Sequence, residues 1–573
     1  MTMLTAVLTA VRSVPSAARL GAAVFPCLAA LLLGGSALSG QAVTEAEPAE
    51  SKLQPPPGMD SFDEKQLLTW VTFLASDALG GRLTGSPGQH AAAKYIADHF
   101  TKLGLEPLGD EQKSTDGKVT RSYLQRYPLK RTYLDMQATG IELAEPKQGF
   151  SRGFAVIPQK GGGAVEAAGE FVYAGLVRSR GIKAGVDLED WTGKIPVLVL
   201  QEPSRRAVGV ERQMMMGMMQ LMGPALQRAR SFARKGAKAV VLANLDDDAP
   251  VPNVLTYMSV GPGQDMMVRT GGFGGMGAMM LQLGGEAPLV FTSRKVSLAL
   301  LGAIGLAKEA AGKPQEDEQV AKFARPKGTV RVSVKTDDNA FATNVVAVLR
   351  GSDPQLAKQA IVFSAHQDHV GTRLDGDVFN GADDNASGST GLMAIAQAFV
   401  KSGVKPRRSI VFLSVSGEEL GLWGSDHYAN HPTWPIEDIV ADINTDMIGR
   451  SGPESGPKEV TVTPSFKHRK FSTLVRDASR IGAKLGMSFQ NGDKYYTRSD
   501  HYNFARKGVP VVFFCNGEHD DYHQVSDTAD KIDVGKLARI AKIAYWTGFA
   551  AAQHDARPET LGRRADWSGA EQK

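Results

Sequence analysis

Cysteine is almost missing from this 573-residue chain, which holds 2: Cys27 and Cys515. Cys27 lies in a segment that reads as removed on export, so the mature chain would hold one thiol and no internal disulfide. That poverty fits an oxidising compartment and a reducing one alike. Net charge is scant too. The formal +4 falls by two when Arg12 and Arg19 are left out with the same segment, which argues against a polyanion-binding surface, and no nucleic-acid partner is expected. Long apolar runs are also few. Leu20 to Gly34 is interrupted by Pro26 and falls short of the ~20 residues that a spanning helix needs. With two arginines before it and the small residues Ser36, Ser39, Gly40 and Ala42 after it, the stretch reads as a signal peptide over 1–42. The chain is therefore expected to be exported, periplasmic or extracellular, with no stable membrane association once the signal is removed. Internal repeats are absent.

What is present is an ordinary globular balance, 42% hydrophobic and 22% charged, in a chain long enough for roughly two to four folding units. Residues 43–58, rich in Glu, Pro and Ala, read as a linker. From 59 to 139, helical spacing of Leu67, Trp70, Val71 and Leu74, and again of Ala93, Ile96, Ala97 and Phe100, flanks the glycine-rich turn Leu79 to Gly88. Residues 140–325 differ in texture, with short β-like runs at Phe171 to Val177 and Ile195 to Leu200, and read as an inserted, mostly β lobe. Two methionine clusters, Met214 to Met222 and Met266 to Met280, lie in it. Thioethers are soft ligands that suit Cu(I), but flexible methionine beside glycine more commonly furnishes adaptable apolar surface.

From 326 to 556 the pattern is α/β: a mixed, mainly parallel central sheet flanked by helices, followed by a flexible tail over 557–573. Buried-strand runs at Val345 to Leu349, Ala360 to Ser364, Ser409 to Val415, Ile439 to Ile443 and Val509 to Phe514 are spaced widely enough for helices between them. Eight of the 11 histidines fall between 366 and 523, and chemistry-bearing residues gather where strands end. In open α/β sheets that carboxyl edge is where sites form. His366 stands at one strand end with Asp368 two positions on, placed to accept from the imidazole and fix its tautomer. Asp383, Asp384 and Asn385 precede a helix, three residues where one cap would suffice. Glu418 and Glu419 follow another strand, pointing in different directions, so that one can bind metal while the other faces an attacking water. Asp446 follows a third among apolar neighbours, where an unpaired carboxylate is costly. After the last strand, spacing leaves His519 and His523 equally eligible. Imidazole and carboxylate together suit zinc. Five ligands exceed what one tetrahedral ion takes while keeping a water, so two ions sharing a carboxylate is the economical count.

Taken together, HQDHVG (His366 to Gly371), NGADDNASG (Asn380 to Gly388), GEELG (Gly417 to Gly421), NTDMIGR (Asn444 to Arg450), SDH (Ser499 to His501) and DYHQVSDT (Asp521 to Thr528) resemble, in order, the dizinc aminopeptidase family that includes aminopeptidase Y. Glutamate carboxypeptidase and glutaminyl cyclase are relatives of that family. LASDALGGRLTGSPG resembles the start of the same domain, and VYAGLV, LEDWTGKIPVLVL and ARKGAKAVVLAN resemble, more loosely, a protease-associated insert. The resemblance implies a zinc exopeptidase fold and two zinc ions per chain, acting on peptide or protein substrates. It makes His366 and Asp446 ligands of one ion, Glu419 and His523 ligands of the other, Asp383 the bridge, Glu418 the general base and Asp368 the partner of His366. It also implies a cis peptide between Asp383 and Asp384. Val525 departs from the proline expected in the last motif, which touches loop shape alone. The alternatives are a carboxypeptidase with Arg498 as carboxylate clamp, a one-zinc glutaminyl cyclase, and a non-catalytic receptor-like module. The retained ligands and base argue against the last two.

Overall fold

The opening helices follow from their caps and apolar stripes. Asp63 accepts the Gln66 N–H ahead of α1 (Glu64–Leu74), and Ser86 accepts the Gln89 N–H ahead of α2 (Pro87–Lys102), whose first residue is a proline suited to that position. Leu67, Trp70, Val71 and Leu74 are the buried side of α1. The computed structural model describes residues 54–564 apart from 114–115, 179–180, 184, 201–210, 246–258, 262–263 and 271–284. The signal segment, the side chains of Met214 to Met222 and the methionines from Met276 to Met280 lie outside the described residues. None of the described helices is long and apolar enough to cross a membrane.

Strand β1 (Leu124–Leu134) pairs antiparallel with the 23-residue β2 (Lys327–Leu349), from Val334 opposite Leu134 to Val345 opposite Leu124, with a bulge between Asp337 and Ala340. Beyond β2 the chain lays down β3 (Ala360–His366), α3 (Gly388–Lys401), β4 (Ser409–Val415), α4 (Trp423–Asn430) and β5 (Ile439–Thr445). Then come β6 (Glu459–Thr463), α5 (Thr473–Lys484), β7 (Ser488–Asn491), α6 (His501–Arg506), β8 (Val511–Cys515) and α7 (Val534–Gln553). The central sheet runs β2-β4-β3-β5-β8-β6-β7. The four inner strands β4, β3, β5 and β8 are mutually parallel, whereas β2 and β6 are antiparallel to their inner neighbours. The sheet is thus mixed and mainly parallel. Of the five runs read from sequence, only Val345 to Leu349 runs against the rest, because it is the far end of β2, which arrives from the lobe instead of through a helical crossover.

Both faces are covered, which is why the inner strands read as unbroken apolar runs. Ile361, Phe363 and Phe412 pack with Phe100, Phe399 and Tyr545 from the helices on one side, while Val362, Val411 and Leu413 meet Tyr428, Trp434 and Phe504 on the other. The lobe repeats this plan. Gly163–Arg178, Lys194–Leu200, Val240–Asn244 and Leu289–Thr292 lie parallel side by side, with helix Arg294–Ile304 packed on one face and helix Glu211–Arg234 on the other. Lys327 to Val334 of β2 also pairs with Gly163–Arg178, so one strand serves both sheets.

Helix α7 crosses the sheet closely at Gly548, where an added Cβ would sit 2.1 Å from the Phe363 ring. Gly548→Val gains at most about 1 kcal/mol of helix propensity against about 1–3 kcal/mol of overpacking. Net destabilisation is expected, read as a lower urea midpoint; an unchanged midpoint would contradict this packing.

Candidate metal centre

Because β4, β3, β5 and β8 are parallel, His366 at the end of β3, Glu418 and Glu419 just past β4, Asp446 just past β5, and the loop after β8 all arrive at one edge. The loop between β3 and α3 adds Asp384. His366 Nε2 lies 3.2 Å from Asp446 Oδ1 and 3.4 Å from Asp384 Oδ1. The other oxygen of Asp384 is 3.0 Å from His523 Nε2, which is 3.1 Å from Glu419 Oε2. Two groups disposed as metal ligands therefore meet at Asp384: His366 with Asp446, and His369, Glu419 and His523. A Glu418 carboxylate oxygen lies within 4.8 Å of ligand atoms of His366 and Glu419.

The donor set fits a metal. His366 Nε2 and Asp446 Oδ1 are buried, face one another and make no hydrogen bond, an arrangement disfavoured for bare polar groups in a dry site. The tautomer of His366 suits it as well. Its Nδ1 lies 3.3 Å from the Asp368 carbonyl oxygen. A carbonyl only accepts, so the proton sits on Nδ1 and the Nε2 lone pair faces the site.

Three expectations change in detail. The acid between the two histidines is Asp384, not Asp383. The Asp383 carboxylate turns the other way, accepting from Gly449 N–H at 2.7 Å, from the Asn516 amide at 3.0 Å and from His519 Nε2 at 3.0 Å. The Nδ1 of His519 accepts from Asp521 N–H, so its proton is on Nε2. His519 therefore serves Asp383, and His523 faces the cluster. The non-proline cis peptide lies one residue later than expected, at Asp384–Asn385. Finally, Asp368 meets His366 through its backbone carbonyl. Its carboxylate is farther, at 3.7 Å, and accepts instead from the Thr84 hydroxyl at 2.6 Å and the Glu418 N–H at 3.3 Å.

Several supporting residues escaped the sequence reading. His369, fully buried, has Nδ1 2.8 Å from Glu419 Oε1; it stood inside HQDHVG with no role attached. Asp527 accepts the backbone N–H groups of Asp383 and Asp384 at 3.0–3.1 Å. Ser499 donates to Asp446 Oδ2 at 2.8 Å, and Asn385 Oδ1 accepts from Gly388 and Met447 N–H. Among the described residues, three of the four non-glycine residues with left-handed φ, Arg82, Met447 and His523, adjoin or belong to the cluster. Each such conformation costs about 1–3 kcal/mol and is held by its surroundings, a pattern associated with functional sites.

Electrostatics separate the two glutamates. Burial pushes the Glu418 carboxyl well above the usual range; His366 opposes the shift, and the Glu419 and Asp446 carboxylates add to it. Burial acts on Glu419 in the same direction, but His523 and His369 outweigh it and hold that carboxyl well below its usual value. One glutamate thus favours holding a proton and its neighbour favours being ionised, the division expected of a base and a ligand.

The fold is similar to that of the solved BSAP, a zinc aminopeptidase from Bacillus subtilis, which matches 87% of this chain and 97% of its own with a TM-score of 0.51 at 18% identity. Residues 344–547 match Peptidase family M28. A probable leucine aminopeptidase of Trichophyton verrucosum is 28% identical over 210 residues, 35% of this chain and 56% of that protein. Aminopeptidase YwaD of Bacillus subtilis is 23% identical over 241 residues, 41% of this chain and 50% of that protein. The chain thus spans about half the length of these curated relatives.

Asp384→Asn is expected to lose most bound zinc, whereas Asp383→Asn keeps it, as measured by metal content after dialysis. Full zinc in Asp384→Asn would remove it from the ligand set.

Proposed function

We propose that the chain is a dizinc aminopeptidase that removes residues from the amino end of peptides. The observation that carries this reading is Asp384, whose two oxygens face His366 and His523 at 3.4 and 3.0 Å, one histidine for each of two ions. His366 and Asp446 would hold one zinc, Glu419 and His523 the other, with Asp384 between them. Zinc pairs of this kind polarise a scissile carbonyl and acidify water. Glu418, beside both ligand groups and with the raised carboxyl pKa of a proton carrier, takes the proton of the attacking water and returns it to the leaving amine. His369 and the Asp368 carbonyl hold Glu419 and His366 in orientation.

A carboxypeptidase of the glutamate carboxypeptidase type would need a cation for the substrate carboxylate. Arg498 is a poor choice, since its Nη1 pairs with Glu518 at 2.6 Å and its guanidinium lies over the Tyr495 ring. The relatives described as aminopeptidases point the same way. Export rests on the sequence of residues 1–42, and the protease-associated reading of the lobe on the stretches quoted for it.

Glu418→Gln is expected to keep its zinc and lose about 100- to 10,000-fold in kcat; full turnover would overturn the role. Free-amine peptides should be cleaved and N-acetylated ones not. Cleavage of blocked peptides alone would overturn the aminopeptidase reading.

A further inference from the structure

The glycine-rich turn before α2 has no part in the chemistry above, yet it grips the site. Gly81 O accepts from Gly371 N–H at 3.0 Å, Arg82 O accepts from His369 N–H at 3.2 Å, and the Thr84 hydroxyl reaches Asp368. The approach is tight: a Cβ on Gly81, whose φ is +67°, would sit 1.9 Å from Gly371 O. At the centre is Arg82, 1% exposed and itself at a φ of 46°. All five of its N–H donors go to carbonyl oxygens. Nε donates to Gln367 at 2.9 Å, Nη1 to Asn380 at 2.7 Å and to Leu74, and Nη2 to Gly381 at 2.9 Å and Asp384 at 3.4 Å. One planar fork thus ties α1, the residue after His366 and the loop that ends in Asp384. Burial draws its pKa down to about 10, opposed by the carboxylates of Asp384, Asp368, Asp527 and Glu419, so it stays a cation behind an acidic cluster.

We propose that Arg82 is a positioning residue for the metal centre, its guanidinium locking the start of the β3–α3 loop, just after His366, to the end of the same loop at Asp384 so that the ligands are arranged before zinc arrives. This rests on the reading that the site holds zinc. A lysine keeps the charge but offers three donors from one point and cannot reproduce the fork. Residues that orient metal ligands are typically worth about 10- to 100-fold in metal affinity.

The test is zinc competition on the purified full chain, wild type against Arg82→Lys, with cobalt(II) spectra of both. We expect zinc binding weakened about 10-fold or more and altered cobalt d–d bands, in a variant whose metal-free circular dichroism matches wild type. Unchanged affinity and spectrum in the folded variant overturn the inference. If Arg82→Lys does not fold, wild type answers instead: zinc loading should slow amide exchange across residues 79–84, and exchange indifferent to zinc overturns the inference. A wild type that takes up no zinc overturns the metallopeptidase reading and this inference with it, whereas zinc uptake without the Arg82 effects overturns this inference alone.

Discussion

The carboxylates of Asp384, Glu418, Glu419 and Asp446 are crowded at one edge of a sheet, with Asp384 and Asp446 buried, and like charges that close repel strongly in a medium of low polarity. Much of the surrounding structure answers that repulsion. Three imidazoles are interleaved with the acids, so that Asp384 and Glu419 each lie against His523 and Asp446 lies against His366. The Asp446 oxygen turned away from His366 accepts from the Ser499 hydroxyl at 2.8 Å. A further buried acid, Asp442 on β5, takes the Ser364 hydroxyl at 2.7 Å, and burial pushes its carboxyl well above the usual range. The arrangement as a whole suits divalent cations.

Holding acids together also shapes the backbone. Asp446 is followed by Met447 at a φ of 58°, and His523 itself adopts 53°. In a regular strand continuation, neighbouring side chains would alternate across the sheet and only every second one would reach the crevice. Sharp turns immediately after the strands let Glu418 and Glu419, adjacent in sequence, both approach His366. Gly417, at a φ of 73° with the Tyr127 hydroxyl and the Trp423 Cβ less than 3 Å from where its Cβ would be, makes that turn possible.

Much of this was legible in the sequence because strand ends and residue types are local properties. The four inner strands announce themselves as apolar runs, and the acids and histidines follow at once. What was hidden depends on direction or on distance. Asp383 and Asp384 are chemically identical neighbours, and only the conformation after Gly381 decides which faces His366 and which faces His519. β2 reads as one more buried strand, because periodicity reports burial and not polarity of pairing. Arg82 is separated by 285 residues from the carbonyl of Gln367 that it grips, and a buried arginine satisfied by carbonyls leaves no trace in spacing or composition.

The lobe, distinct in texture, is not mechanically distinct. β2 gives its first half to the lobe and its last residues to the central sheet, and β1 runs beside it through the junction. Tyr127 of β1 donates to the Ser416 carbonyl at 3.0 Å, two residues before Glu418. Met267 packs with Tyr127, Leu129 and Trp423, and Arg269 pairs with Asp426 of α4 at 2.6 Å in a partly shielded position, where an ion pair is screened less than at the open surface. A rotation of the lobe would therefore bend a continuous strand pair and pull on the turn that carries both glutamates. Displacements near 1 Å at a catalytic group are enough to matter, so the lobe belongs to the rigid support of the site as much as the helices that flank the sheet.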